Sequence, residues 1–576
     1  MAKKKKKRLK LKNITILVLI LFLFISGGSL LLKKVTKAVI QGKTDAYLSS
    51  TESMIQLYNT DFKEDIKVVR GTKVVLYEFD VKHTIKDEKT GEVLKKEVYR
   101  KIKHDKKDYL IMPENVVNTY EKSVQEKKMF VRTPVTLYES SNDIKILSLI
   151  KKGEELDIVG FDEILDDGKV NMYKIQYKDL TGYVYSKYLV NTKELALANY
   201  DEDGSYKVHF NRGDRWGGGN AGTLDFYPVQ KKQFEGNKMP DEVRSLYLNS
   251  SVLSNVDAYI KLAKNNNINA FVVDIKDNTV PGYPSVVMKE LSPTNYKRAI
   301  NSLDGYKKAI KKIKDNGIYV IGRITTFKDS YYVTDHPESA ITSTSTGKPY
   351  NHNGSYWPSV YSRGVWEFSV ALAIDAVKEM GFNEIQFDYV RFPDRTVSVE
   401  KAGLVNMKNK YNETKAQAIQ AFLMYATDEL HKLDVYVSVD VFGESANSYV
   451  TAYGQYWGAI SNVVDVISAM PYPDHFNRYE YGFDVPVWTI PYNLLNKWGQ
   501  TAAQRQKEIP TPAIARTWIQ AYNAIHDPYI TYDATKISEQ IKGLYDAGLT
   551  GGYMTWNGNS NINKYYEIAP AFRKDY

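Results

Sequence analysis

The strongest constraint on the fold is an apolar, alternating run that recurs eight times between Arg244 and the C-terminus. The first four are RSLYLNS (Arg244 to Ser250), FVVDIKD (Phe271 to Asp277), YVIGRITTFKD (Tyr319 to Asp329) and EIQFDYVRFPD (Glu384 to Asp394). The others are VYVSVDVFGE (Val435 to Glu444), VDVISAMPYPDH (Val464 to His475), AIARTWIQAY (Ala513 to Tyr522) and GGYMTWNGNS (Gly551 to Ser560). Each reads as a strand, and most of the intervals can hold a helix. Such alternation predicts an α/β fold, a closed parallel (β/α)8 barrel of the TIM type, over residues 240–576. In that architecture the C-terminal strand ends carry the chemistry, and polar residues gather at those ends here.

A basic run, Lys3 to Lys12, precedes the uncharged apolar stretch Ile14 to Leu32. That stretch can cross a hydrocarbon layer of about 30 Å at about 1.5 Å per residue. Residues 1–12 are therefore expected as a cytoplasmic basic tail and 13–32 as a transmembrane signal anchor. This places the chain at the cell membrane, single-pass, with its C-terminal part extracellular. The alternative is a cleaved signal peptide. Against it, the stretch exceeds the usual core of about 7–15 residues, and the small residues Ser26 to Ser29 are followed by more leucines. Much of the formal net charge of +10 sits in this leader, so a basic nucleic-acid-binding surface is poorly supported. The absence of cysteine excludes disulfides, zinc–thiolate sites and thiol nucleophiles.

Two β-rich segments precede the predicted barrel. Within residues 127–195, short strands, charged turns and a closing GYVYSKYLV resemble a bacterial SH3-like domain. Residues 60–120 open and close with similar phrases, VVRGTKVVLYEF and DYLIMPENVVNT, and read as a degenerate copy whose charged insert, Lys82 to Lys107, forms a long hairpin. The resemblance implies cell-wall binding; a simple spacer is the alternative. Residues 196–239, rich in Gly and charge, read as a linker or a cover on the barrel.

Asp388 belongs to the fourth run and Asp440 to the fifth, with Glu444 just beyond in the following loop. Neighbouring strands lie about 4.8 Å apart, so carboxylates at matching heights can flank one bond of a substrate. Glycoside hydrolysis needs such a pair, one acid to protonate the leaving oxygen and one carboxylate to attack or activate water. Asp388 is the first candidate for nucleophile or base, Asp440 for its catalytic partner or acid, and Glu444 is held in reserve as donor. Arg391 could lower the pKa of Asp388 or simply pair with Asp394. Other strand ends add Asp274, Lys276, Arg323 and His475 as substrate-binding candidates. Trp357, Tyr389, Tyr472, Trp518 and Trp556 could line a sugar-binding mouth or be ordinary barrel packing. His336, His352, His475 and His526 fall in predicted loops without paired-ligand spacing, so no metal is assigned. Neither a phosphate-binding loop nor a Gly-x-Ser-x-Gly elbow occurs at a strand end, and no cofactor is expected.

FVVDIKD, IGRITTFKD, SVYSRGVWEF, EIQFDYVRFP, VDVFG, DVISAMPYP and GGYMTWN, from about Val243 to Tyr565, resemble a family of extracellular bacterial glycoside hydrolase-like barrels that often carry SH3-like modules. The acids of that family's strand motifs map onto Asp388 and Asp440. Asp474 stands where related sequences tend to have Ser, which leaves the proton donor open. The reading is a membrane-anchored extracellular glycoside hydrolase cleaving a polysaccharide, an exopolysaccharide or a wall glycan. A non-catalytic carbohydrate-binding barrel on the cell surface is its rival, and a scaffold whose SH3-like modules bind wall peptide is a third reading.

Overall fold

A computed structural model describes residues 42–201, 204, 206–214 and 216–576. It contains two compact units, one of residues up to Met129 with Glu155–Leu189, the other of Phe130–Glu154 with Val190–Tyr576.

In the first unit, seven antiparallel strands from Lys43–Leu48 to Val116–Val117 make one sheet. Its longest pair, Lys73–Lys86 with Val93–His104, is a hairpin whose turn is held by Asp87 accepting from the amides of Lys89 and Thr90. One face buries Leu48, Leu57, Leu76, Ile102 and Ile111, the period-2 signature of a half-buried antiparallel sheet. Glu155–Phe161, Met172–Tyr177 and Leu180–Tyr185 form a further antiparallel ladder.

The second unit is built on parallel strands that alternate with helices. The strands are β1 (Val243–Leu248), β2 (Ala270–Lys276), β3 (Tyr319–Thr325), β4 (Glu384–Asp388), β5 (Tyr436–Phe442), β6 (Val466–Met470), β7 (Ile514–Ala515), β8 (Thr517–Gln520) and β9 (Gly552–Trp556). The main helices are α1 (Val256–Lys264), α2 (Leu303–Asp315), α3 (Arg363–Met380), α4 (Lys415–His431), α5 (Trp457–Val463), α6 (Pro491–Gln506), α7 (Ala534–Asp546) and α8 (Ile562–Phe572). Strand order is β7-β6-β5-β4-β3-β2-β1-β9-β8, so the sheet begins and ends on two halves of one extended run and nearly closes on itself. Both faces are buried, as helix-covered parallel strands require. Inward positions toward the strand starts carry Val243, Ala270, Tyr319 and Tyr436, and Phe234 packs into the same cluster with its ring 4.9 Å from that of Tyr436. Tyr206, Leu224 and Phe226 pack against Tyr456, Ala459 and Ile509 of the same unit.

Two expectations are corrected. The parallel sheet has nine strand segments instead of eight, because the seventh run is split at Arg516. Below the split its amides bond to β6, with Arg516 N–H donating to the Ile467 carbonyl at 3.0 Å; above it, Thr517–Gln520 pairs with β9. At the break the Arg516 side chain turns into the barrel, and its Nη1 donates to both carboxylate oxygens of Glu384 at 2.8 and 3.0 Å, both residues having no solvent exposure. Closing a tilted sheet shears the strands past one another, and here the shear is absorbed at that residue.

The second correction is to the membrane helix and the single-pass placement. No helix among the described residues is long and apolar enough to cross a membrane. The longest helix, α3, carries Glu367, Asp375, Lys378 and Glu379, and α2 is studded with lysines, the pattern of helices with one wet face. The segments expected as basic tail and membrane span, 1–12 and 13–32, lie outside the described residues.

Candidate active site

Strand alternation aims Asp274, Arg323, Asp388 and Asp440 into the barrel at its C-terminal end. The ladder pairs Asp274 with Arg323, and Phe387 with Val439, so Asp388 and Asp440 follow at equal height on β4 and β5. Arg323 is the hub. Its Nη1 lies 2.7 Å from Asp274 Oδ1 and 3.4 Å from Asp277, its Nη2 pairs with Asp388 Oδ2, and its Nε lies 3.8 Å from Asp440 Oδ2. Burial works against the charge of Arg323, but the attraction of Asp388 and Asp274 outweighs it and pushes its pKa well above the usual value.

Each carboxylate has its own second partner. Tyr247 donates its hydroxyl to Asp274. Trp518 Nε1–H donates to Asp440 Oδ1 at 2.7 Å, while Asp440 Oδ2 has no hydrogen-bond partner among the described residues. Asp388 Oδ1 accepts from the Tyr389 amide at 2.6 Å, and Tyr389 itself sits at φ +53°. A left-handed tyrosine is uncommon and costs on the order of 1–3 kcal/mol; here it turns the chain sharply after β4 so that its own amide reaches the preceding carboxylate.

Burial, and next the charge of Asp388, hold Asp440 well above the usual carboxylate range. Burial also pushes Asp274 up to about 6, against the pull of Arg323. A carboxyl whose folded pKa exceeds its unfolded value near 4 binds its proton more tightly in the native state, so its contribution to stability falls as pH rises between about 4 and 6. About two pKa units correspond to about 3 kcal/mol. Urea unfolding at both ends of that window should show the parent losing more stability with rising pH than Asp274→Asn does. Parallel pH dependences in the two proteins would contradict this account of Asp274.

These groups line a cavity of about 320 Å³. Of the candidates from sequence, Arg323, Asp388, Tyr389, Arg391, Asp440, Tyr472, His475, Trp518 and Trp556 all face it. Asp274 stands behind Arg323 and Tyr247. Lys276 does not line the cavity: it is fully buried and pairs with Asp329 at 2.9 Å. Trp357 is also buried; the guanidinium of Arg391 lies over its ring at 5.0 Å and over that of Phe442 at 4.5 Å. Arg391 pairs with Asp394 at 3.3 Å, and the arginine that meets Asp388 is Arg323. Glu444 lies outside this cavity, exposed in the turn after β5, where Tyr453 donates to it at 2.8 Å. It lines a larger adjoining groove of about 860 Å³ that shares Phe442, Met470 and His475 with the cavity.

Sequence reasoning missed Tyr247 and Met470. Tyr247 is in inward phase with Val243 and Ser245 on β1, and that phase was the available signal. Its ring lies 4.4 Å from that of Trp556, which in turn stands edge-on to Trp518 at 5.6 Å, giving the cavity an aromatic wall beside its ionic centre.

Residues 245–564, more than half of the chain, match the family model described as "Putative glycosyl hydrolase domain". No curated protein matches the chain. Among solved structures, a hypothetical protein from Ruminiclostridium thermocellum ATCC 27405 is similar at 32% identity and TM-score 0.29, over 34% of this chain and 97% of its own. The PgaB (BpsB) glycoside hydrolase domain from Bordetella bronchiseptica is similar at 13% identity and TM-score 0.43, over 58% and 98%. The spore cortex-lytic enzyme SleL from Bacillus megaterium QM B1551 is similar at 11% identity and TM-score 0.34, over 58% and 76%.

Proposed function

The chain belongs to the glycosyl hydrolase domain family matched over residues 245–564, and from that premise we propose that the cavity at the C-terminal end of the barrel hydrolyses a polysaccharide through Asp388 and Asp440. The observation that carries the reading is the pair of carboxylates at equal height on adjacent strands, both in contact with Arg323 and both facing one cavity.

The two acids sit in different environments, which suits two different roles. Asp440 is the acid: burial and the neighbouring charge of Asp388 keep its proton on. Trp518 occupies its Oδ1, leaving Oδ2 to donate to the glycosidic oxygen. Asp388, paired with Arg323, is the carboxylate that attacks the anomeric carbon or takes the proton of the attacking water. As positive charge develops on the sugar ring, the carboxylate of Asp388 stabilises it, and the bond to the leaving oxygen breaks as Asp440 hands over its proton. Trp556, Tyr472 and Tyr389 offer ring faces to the apolar C–H faces of sugars.

The β-rich segment 127–195, through its resemblance to bacterial SH3-like modules, adds a binding role toward wall polymer. The reading is tested by incubating the purified protein with a panel of soluble polysaccharides and counting new reducing ends. Release from at least one glycan is expected. Glycan binding without release from any of them would make the domain a carbohydrate-binding barrel instead.

A further inference from the structure

The groove of about 860 Å³ beside the cavity is not used by the two-carboxylate chemistry, and its charge is one-sided. Among the described residues, Glu444 takes its side-chain hydrogen bonds from the hydroxyls of Tyr449 and Tyr453. Glu480 accepts from the Asn477 amide at 2.7 Å and has no ion-pair partner among the described residues. Asp474 accepts from the Tyr522 hydroxyl at 2.9 Å through Oδ1, while its Oδ2, on a side chain with no solvent exposure, has no hydrogen-bond partner among the described residues. His475 stands 3.7 Å from Asp474, and partial burial shifts its imidazole below the usual histidine range against the pull of that carboxylate. The cation on the rim, Arg395, lies against Asp394 at 3.9 Å. Glu444 and Glu480 therefore open onto the groove without a Lys or Arg partner among the described residues, and Asp474 lies buried in its wall with one oxygen unpartnered. A carboxylate without a cationic partner is matched by a ligand that supplies N⁺–H groups.

The same groove presents Phe442, Tyr449, Tyr453, Phe476 and Tyr481. Aromatic faces take the C–H faces of pyranose rings, and carboxylates beside them take an ammonium attached directly to such a ring. We propose that this groove is a binding subsite for cationic amino sugars, so that the substrate is an amino-sugar polymer carrying free, de-N-acetylated 2-amino groups. The assignment rests on the glycosidase reading of the adjoining cavity, with which the groove shares Phe442, Met470 and His475. A basic peptide would satisfy the charges but would make less use of the aromatic faces beside them.

The test is calorimetric binding of the full chain to 2-amino-2-deoxy oligosaccharides of several linkages, each compared with its N-acetylated counterpart and with oligolysine of equal charge. The free-amine form should bind at least about tenfold more tightly than the acetylated form, with a preference that shrinks as salt is raised. Glu480→Gln, a change at an incompletely buried turn residue, should reduce that preference about threefold, and Asp474→Asn should reduce it further. Equal binding of amine and N-acetyl forms, or oligolysine binding as tightly as the amino sugars, overturns the proposal. If amino sugars bind preferentially but no glycan is cleaved, the glycosidase reading fails while the subsite stands. If neutral glycans are cleaved with no preference for free amines, the subsite fails and the glycosidase reading stands.

Discussion

Asp388→Asn is expected to lower glycan hydrolysis by about a thousandfold while leaving the fold and glycan binding nearly intact. The amide keeps the shape of the side chain and can still accept from the Tyr389 amide, but it has neither the charge to stabilise a developing oxocarbenium ion nor the basicity to activate water. General acid–base groups are worth about 10² to 10⁴ in rate, and a nucleophile at least as much, so the loss is large against any error in the assay. Folding should survive because Arg323 does not depend on Asp388 alone. Asp274 at 2.7 Å and Asp277 at 3.4 Å remain around the guanidinium, so no buried positive charge is stranded. The checks are kcat on a cleaved polysaccharide, affinity for the same glycan, and the urea midpoint. Turnover within tenfold of the parent would remove Asp388 from the chemistry. A collapse of the midpoint in step with activity would make it a structural partner of Arg323.

Strand positions and strand phase were legible in this chain, and strand register was not. The alternation within EIQFD and SVDVF is enough to send Asp388 and Asp440 to one side of the sheet, because side chains repeat every two residues and the apolar partners fill the opposite phase. Which arginine meets Asp388 depends on how β3 slides against β4. A single sequence holds no term for that offset, so Arg391, near in sequence, looked as eligible as Arg323. Lys276 shows the same limit from the other side: it shares the phase of Asp274 in the sequence, but an irregularity of the β2 ladder between them sets Lys276 opposite Ile324, out of phase with Asp274, where it pairs with Asp329. The split of the seventh run at Arg516 was hidden because its cause, Glu384, lies three strands away in the sheet and at the opposite end of the fourth run. Hydropathy along AIARTWIQAY gives no sign that one residue changes its ladder partner. The hydrophobic leader dominated the expectation of a membrane placement, and none of the helices described carries a comparable apolar surface.

The proton donor is separated from its alternative by leaving-group dependence. Asp440 sits fully buried with Trp518 on one oxygen and Asp388 beside it, an environment in which burial and the charge of Asp388 favour the protonated form. Glu444 is exposed, accepts from two tyrosine hydroxyls and faces the outer groove. Asp440→Asn should therefore abolish cleavage of natural glycans, whose leaving groups need protonation, by about 10² to 10⁴. On activated aryl glycosides, whose leaving groups depart with little help, the same variant should lose no more than about tenfold. It should also flatten the alkaline limb of the pH–rate profile, since that limb reports the loss of the proton from Asp440 as pH rises through its elevated pKa. Glu444→Gln should act mainly on KM, by a few-fold, because it touches substrate beyond the scissile bond. If Glu444→Gln instead produced the leaving-group-dependent loss, the donor would have to reach in from the groove, and Asp440 would be left holding Trp518 and Arg323 in place for a reaction it does not enter.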